Sequence, residues 1–176
     1  AIEPSPHNFQ ILQEMVKYNK LEENIELLNY AISDSEKEID FHLSDASNLH
    51  SIKKTRNTIG SIKIKTTSLD KIYENRIPPK FIKMDIEGGE LEALKGMRNL
   101  TSNLNNKMRI LMEIHPMYYD HTAFKKELEF LFDHDFKVKY MTSAGTAEPD
   151  FLIKKGYIPK KIYSTGDSTR GLYEDI

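Results

Sequence analysis

Hydrophobic positions along this chain switch between a helical period and a strand period. Phe9, Leu12 and Val16 follow Ser5-Pro6 at helical spacing, and Ile11 and Met15 widen the stripe. Serine suits a helix cap and proline the first helical position, so a helix is predicted to start here and fade near Asn19. Residues 25–32 (IELLNYAI) form a compact apolar run, predicted as a strand and broken by Ser33-Asp34-Ser35. Residues 39–43 (IDFHL) alternate and predict a strand, with His42 facing away from Phe41 as a surface residue. Residues 44–58 are polar and predict a loop. Ile62 and Ile64 alternate with Lys63 and Lys65, the pattern of a half-exposed strand.

Further along, Ser68-Leu69-Asp70 opens a short helix that Pro78-Pro79 ends. Residues 81–86 predict a strand, followed by a helix carrying Leu91, Leu94 and Met97 on one side. Residues 108–114 (MRILMEI) predict a buried strand, closed by Pro116. An amphipathic helix over 120–133 runs through Phe124, Leu128, Leu131 and Phe132, and residues 136–141 predict a strand. After Gly145 the pattern allows one or two more strands. This alternation predicts an α/β fold with a mostly parallel sheet and helices on both faces. The strands between Ile39 and Thr67 look like a small β-hairpin insertion. The 176 residues suit a single domain with room for a core. Ala1-Ile2-Glu3-Pro4 looks like the end of a strand, so an upstream segment is expected.

Composition removes several alternatives. The net charge of -2 gives no electrostatic pointer to nucleic acid or an anionic membrane. The basic group Lys53, Lys54, Arg56, Lys63 and Lys65 lacks interleaved aromatics, and lysines guarding an edge strand explain it more simply. The absence of cysteine excludes disulfides, thiolate metal sites and thiol nucleophiles, and fits a reducing, cytoplasmic setting. No apolar run reaches the ~18 residues of a membrane span. The sequence leaves oligomeric state open.

Polar residues gather at three strand ends, where open α/β sheets bind their ligands. The first is Glu3, after an apolar dipeptide and before a helix. The second lies in residues 81–91 (FIKMDIEGGEL), where Lys83, Asp85 and Glu87 share the strand face opposite Met84 and Ile86, beside a Gly-Gly turn. The third is Glu113 with His115. Adjacent strands would bring these sets to one rim. A capped helix start accounts equally well for the acidic pair taken alone.

Five blocks, AIEPSPHNFQIL, NYAISD, TTSLD, FIKMDIEGGELEALKGM and ILMEIHP, stand in an order and spacing that resemble the FkbM-type methyltransferases. The resemblance runs from Ala1 to about Met141, and the K-M-D-I-E-G-G-E segment is its most specific part. It implies the Rossmann-like class I methyltransferase fold and S-adenosylmethionine as cofactor. It further implies O-methylation of a hydroxyl on a small-molecule, sugar or other glycan acceptor. The Gly-rich cofactor loop of that fold is not in the chain.

On this resemblance Asp85, Glu87 and His115 are the catalytic candidates. Asp85 would orient the acceptor hydroxyl or stabilise the sulfonium. A nearby base would aid transfer by about 10²–10⁴-fold, and His115, with an ordinary pKa of about 6.5, is a candidate for it. Glu3 would hold the adenosine ribose, with Asn29 and Ala31 near the adenine. Asp85, Glu87, Glu113 and His115 are also hard oxygen and imidazole donors that allow a divalent metal, although their spacing is not diagnostic. Two other readings remain open: a nicotinamide-dependent oxidoreductase, which Glu3 would equally serve, and a binding domain that has kept the fold without catalysis.

Overall fold

The fold follows from where the backbone finds partners. In the computed structural model the described residues are 1–44, 50–54, 56–103, 108–115, 118, 120–137, 142–144, 162–164 and 170–173. They fall into two compact units, residues 1–127 and 128–176.

Helix α1 spans Pro6–Tyr18, capped by the Ser5 hydroxyl, which accepts from the Asn8 N–H at 3.4 Å. Its C-cap is Asn19, where the sequence pattern fades. The apolar run at 25–32 is not a continuous strand. Leu28 pairs in parallel with Ile2, and only Ala31–Ile32 form β1. The next donor of that pairing, the Ser5 N–H, bonds Glu3 Oε1 at 2.8 Å instead, and Asn29 donates its side-chain amide to Glu3 O at 2.8 Å and Pro4 O at 3.2 Å.

Strands β2 (Glu38–Ser44) and β3 (Thr58–Thr67) form the antiparallel hairpin, and β1 adds in parallel to the end of β3. The order is β1-β3-β2, so β3 is the middle strand and not an edge. Its lysines are explained across the ladder instead. Lys63 Nζ lies 3.0 Å from Asp40 Oδ1, and Lys65 stands opposite Glu38. The inner face packs Ala31, Phe41 and Ile64, with Ile39, Leu43, Ile52 and Ile62 against them. The predicted loop includes residues 45–49 and 55, which lie outside the described residues.

Ser68 caps α2 (Leu69–Tyr73), its hydroxyl accepting from Lys71 N–H at 3.1 Å. Strand β4 (Phe81–Met84) pairs in parallel with β5 (Arg109–Met112). Strand β5 was expected to be buried, yet it alternates, with Leu111 56% exposed. Arg109 and Leu111 on one face are exposed while Ile110 and Met112 on the other are half-buried, so among the described residues only one face of the strand is covered. Between these strands lie α3 (Glu90–Lys95) and α4 (Arg98–Ser102). Leu91, Leu94 and Met97 are all buried, but Met97 caps α4 rather than extending α3.

Asp70 ties these pieces together. Its carboxylate accepts from Asn99 N at 3.1 Å and Leu100 N at 2.8 Å, and its own N–H donates to Gly96 O at 2.8 Å. Helix α5 (His121–Asp133) opens with Asp120 accepting from Ala123 N at 2.7 Å. Within the first unit Arg98 makes a two-pronged bond to the buried carboxylate of Glu127, both contacts 2.9 Å. The second unit holds the end of α5 and a sheet of β6 (Thr142–Ala144), β7 (Ile162–Ser164) and β8 (Arg170–Tyr173), antiparallel in the order β6-β8-β7. Among the described residues two strands thus follow Gly145. Most of the strand predicted over 136–141 lies outside the described residues. No helix among the described residues is long and apolar enough to cross a membrane.

Gly96 has no room for a side chain. A Cβ there would collide with the Ser33 carbonyl oxygen and lie 3.0 Å from Ser68 Cβ. The obstacle is backbone, which yields less readily than a rotatable side chain. Gly96→Ala is expected to destabilise the chain by about 1–3 kcal/mol, the usual range for overpacking. Urea denaturation checks this, and an unchanged midpoint would show that the two segments separate freely.

Candidate active site

Strand β4 stops at Met84 because the backbone turns over. Glu87 has φ 49 and Gly88 φ 97, so the strand face predicted for Asp85 and Glu87 does not continue. Glycine is required at position 88: a Cβ there would enter the Tyr118 ring. Three hydrogen bonds hold the turn. Gly89 N–H donates to Ile86 O at 3.4 Å, Gly88 N–H donates to Glu90 Oε1 at 3.1 Å, and Ser51 Oγ donates to Glu87 O at 2.5 Å. Ser51 is itself fixed by main-chain bonds with His42 at 2.8 and 3.1 Å. The hairpin insertion therefore supports the turn.

His115 comes from the other strand. The parallel ladder runs one residue past β5, with Glu113 N–H donating to Met84 O at 2.9 Å. This places Glu113 and His115 beside the turn. Nδ1 of His115 is 2.9 Å from Oε1 of Glu90, whose side chain is fully buried. Nε2 faces the other way, 3.5 Å from Glu87 Oε2 and 3.9 Å from Glu113 Oε1. Donor atoms of Asp85, Glu113 and His115 all lie within 4.8 Å of one another. Lys83 Nζ stands 3.4 Å from Asp85 Oδ2 at the exposed rim. The Tyr118 ring stacks on the imidazole with centroids 6.3 Å apart.

Electrostatics follow from this crowding. Burial pushes the Glu87 carboxyl above its ordinary range, the His115 charge opposes it, and Asp85, Glu113 and Glu90 add to the rise. For His115, burial acts to lower the pKa but is outweighed by the Glu90 hydrogen bond and the nearby Glu87, Glu90 and Glu113 charges. The net shift is upward from 6.5. The stabilisation linked to this proton is therefore complete below 6.5 and is lost as pH rises through the higher folded value.

Asp85, Glu87 and His115 are thus gathered in one place, with Glu113. The residues assigned to the cofactor form a second group. Glu3 is half-buried, and its Oε1 accepts from Ser5 N–H at 2.8 Å. Asn29 is exposed and braces the backbone of Glu3 and Pro4. Ala31 is 4% exposed, with its methyl group in the hairpin core. Sequence reasoning missed Glu90, Ser51 and Tyr118. Glu90 was in view, three residues after Glu87, but an acidic residue in a first helical turn is ordinary, and only its burial sets it apart. Nothing in the sequence marks Ser51 or Tyr118.

The model of the methyltransferase FkbM domain matches residues 1–138. A hexuronic acid methyltransferase, AglP of Haloferax volcanii, is 36% identical over 119 residues, which are 65% of this chain and 46% of that protein. The chain thus spans about half the length of that relative. The crystal structure of a methyltransferase FkbM from Methylobacillus flagellatus superposes with a TM-score of 0.50 at 24% identity, over 75% of this chain and 29% of that one. This likeness agrees with a Rossmann-like α/β fold.

Replacing Glu90 by Gln keeps a carbonyl for the Gly88 N–H but removes the negative charge beside Nδ1. In Glu90→Gln the His115 titration midpoint is expected to fall below the wild-type value, read by NMR in the presence of a chelator. An unmoved midpoint would mean that Glu87 and Glu113 alone set the histidine's charge.

Proposed function

The chain belongs to the FkbM methyltransferase family, and from that premise we propose that it serves transfer of a methyl group from S-adenosylmethionine to a hydroxyl of a sugar-like acceptor. One observation carries this reading: Asp85, Glu87, Glu113 and His115 converge beyond the carboxyl ends of two adjacent parallel strands. The hexuronic acid activity in the name of the Haloferax relative supports an acceptor rich in hydroxyls.

The residues at the first strand end fit the cofactor. With Oε1 held by the Ser5 N–H, the Glu3 carboxylate is fixed in direction, and no described residue bonds its Oε2. A fixed carboxylate at such a strand end suits a pair of ribose hydroxyls. Asn29 holds the backbone of Glu3 and Pro4 in place, and the main chain near Ala31 would border the adenine. S-Adenosylmethionine supplies a methyl group on a positively charged sulfur.

The remaining work falls to the rim residues. Asp85 is exposed, and Lys83 is its cationic neighbour, so its carboxylate can reach an incoming hydroxyl and take the proton at Oδ1 or Oδ2. The carboxylates around His115 raise its pKa against the effect of burial, which favours the hydrogen-bond-donating form of the imidazole. Glu87 keeps the imidazole in place through its contact with Nε2. Holding the acceptor oxygen within roughly 3–3.5 Å of the reacting carbon is where most of the rate gain would arise.

Two measurements test the reading. Calorimetry should show S-adenosylhomocysteine binding to the 176-residue chain, weakened at least about tenfold in Glu3→Ala, the loss of one charge-assisted contact. Binding of a nicotinamide dinucleotide in its place would overturn the cofactor assignment. Asp85→Asn should lower methyl transfer to uronic-acid glycosides by about 10²–10⁴-fold with S-adenosylhomocysteine affinity unchanged. Wild-type turnover in that variant would remove Asp85 from the chemistry.

A further inference from the structure

We propose that Ser51, carried by the hairpin insertion, is a positioning residue for the transfer step and acts through the carboxylate of Glu87, a proposal that rests on the methyl-transfer reading of the rim. Ser51 is 2% exposed, and its hydroxyl is engaged twice. It donates to Glu87 O at 2.5 Å and accepts from the Lys53 N–H at 3.0 Å. The main chain of Ser51 is fixed to β2 by both of its bonds with His42. The donor therefore has little freedom to follow the turn if the turn moves.

Its bond falls on a backbone that the local residue type does not favour. Glu87 and Gly88 have consecutive positive φ, closed by the Gly89 N–H on Ile86 O, the pattern of a type I′ turn. Such turns prefer Asn, Asp or Gly at both central positions, so Glu at the first has no local reason to be left-handed. What holds it is the peptide group between Glu87 and Gly88. Ser51 bonds its carbonyl, and Oε1 of Glu90 accepts from its N–H at 3.1 Å. Side chains from two separate stretches of chain thus grip both ends of one peptide plane. Among the described residues no other group bonds that carbonyl.

The consequence reaches the rim. With this plane fixed, the Glu87 side chain leaves the turn so that Oε2 lies 3.5 Å from His115 Nε2. The residues after Ser51 brace the same region. A Cβ at Gly89 would lie 3.5 Å from Ile52 Cδ1, and Lys53 Nζ is 3.9 Å from Glu92 Oε1 in the first turn of α3. Residues 51–53 of the insertion thus lie along the turn and the helix that follows it. A serine that only stabilised the hairpin would be indifferent to the Glu87 carboxylate. A positioning serine loses its effect once that carboxylate is gone.

The experiment measures methyl transfer to a uronic-acid glycoside in the wild-type chain, Ser51→Ala, Glu87→Ala and the double variant. Ser51→Ala should lower kcat by about 10²-fold, the loss that a misplacement of about 1 Å can cause. Its S-adenosylhomocysteine affinity and circular dichroism should stay at wild-type values. In the Glu87→Ala background the same change should cost less than about twofold, because two residues that act as one unit are not additive. Wild-type kcat in Ser51→Ala overturns the proposal, as does full additivity with Glu87→Ala, and either result leaves the methyl-transfer reading in place. Absence of transfer by the wild-type chain removes both. Should Ser51→Ala fail to fold, Ser51→Cys, close in size and a weaker donor, takes its place in the cycle. Failure of both to fold overturns the proposal, since the hydroxyl would then serve stability alone.

Discussion

The contact between Glu90 and His115 organises this end of the molecule. A fully buried carboxylate is tolerated where donors meet it, and here one oxygen serves both the Gly88 N–H and the imidazole. That oxygen thus joins the turn after β4 to the segment after β5. The register of the two strands is set by their ladder, which runs on to the Glu113 N–H on Met84 O, and the Glu90 oxygen adds the side-chain tie between the turn and the imidazole. It fixes the orientation of the imidazole toward the rim carboxylates of Glu87 and Glu113.

The sequence made most elements legible because local signals agreed with the tertiary context. Ser5-Pro6, Ser68 and Asp120 cap helices as their residue types predict. The hairpin insertion was equally visible, since Phe41, Ile62 and Ile64 alternate cleanly with polar neighbours. The misreadings came where pairing, not pattern, decides. Residues 25–32 are apolar enough for a strand, but the Ser5 N–H that would extend their ladder bonds the Glu3 carboxylate instead. Strand β5 is apolar enough for burial on both faces, but among the described residues only the face of Ile110 and Met112 is covered. The lysines of β3 looked like edge guards because a sequence does not reveal which strand lies in the middle.

For the site the balance differs. Asp85, Glu87, Glu113 and His115 could be picked out because acidic and imidazole groups beside glycine at strand ends are chemically conspicuous. Their geometry could not. A strict strand period puts Asp85 and Glu87 side by side, whereas the positive φ of Glu87 swings its carboxylate toward Nε2 of His115. Ser51 was invisible because its importance lies in a 2.5 Å bond to a carbonyl thirty-six residues away.

That Ser51 bond bears on how this site can be moved or borrowed. The turn is shaped from outside by the hairpin, through Ser51, and from below by Glu90 and His115. The smallest transplantable unit is therefore not the acidic motif but three separate stretches of chain: the hairpin, the turn with its buried glutamate, and the histidine after β5. A scaffold given only the motif would inherit the residues without the shape, because the left-handed backbone at Glu87 is imposed by neighbours rather than encoded by its own side chain.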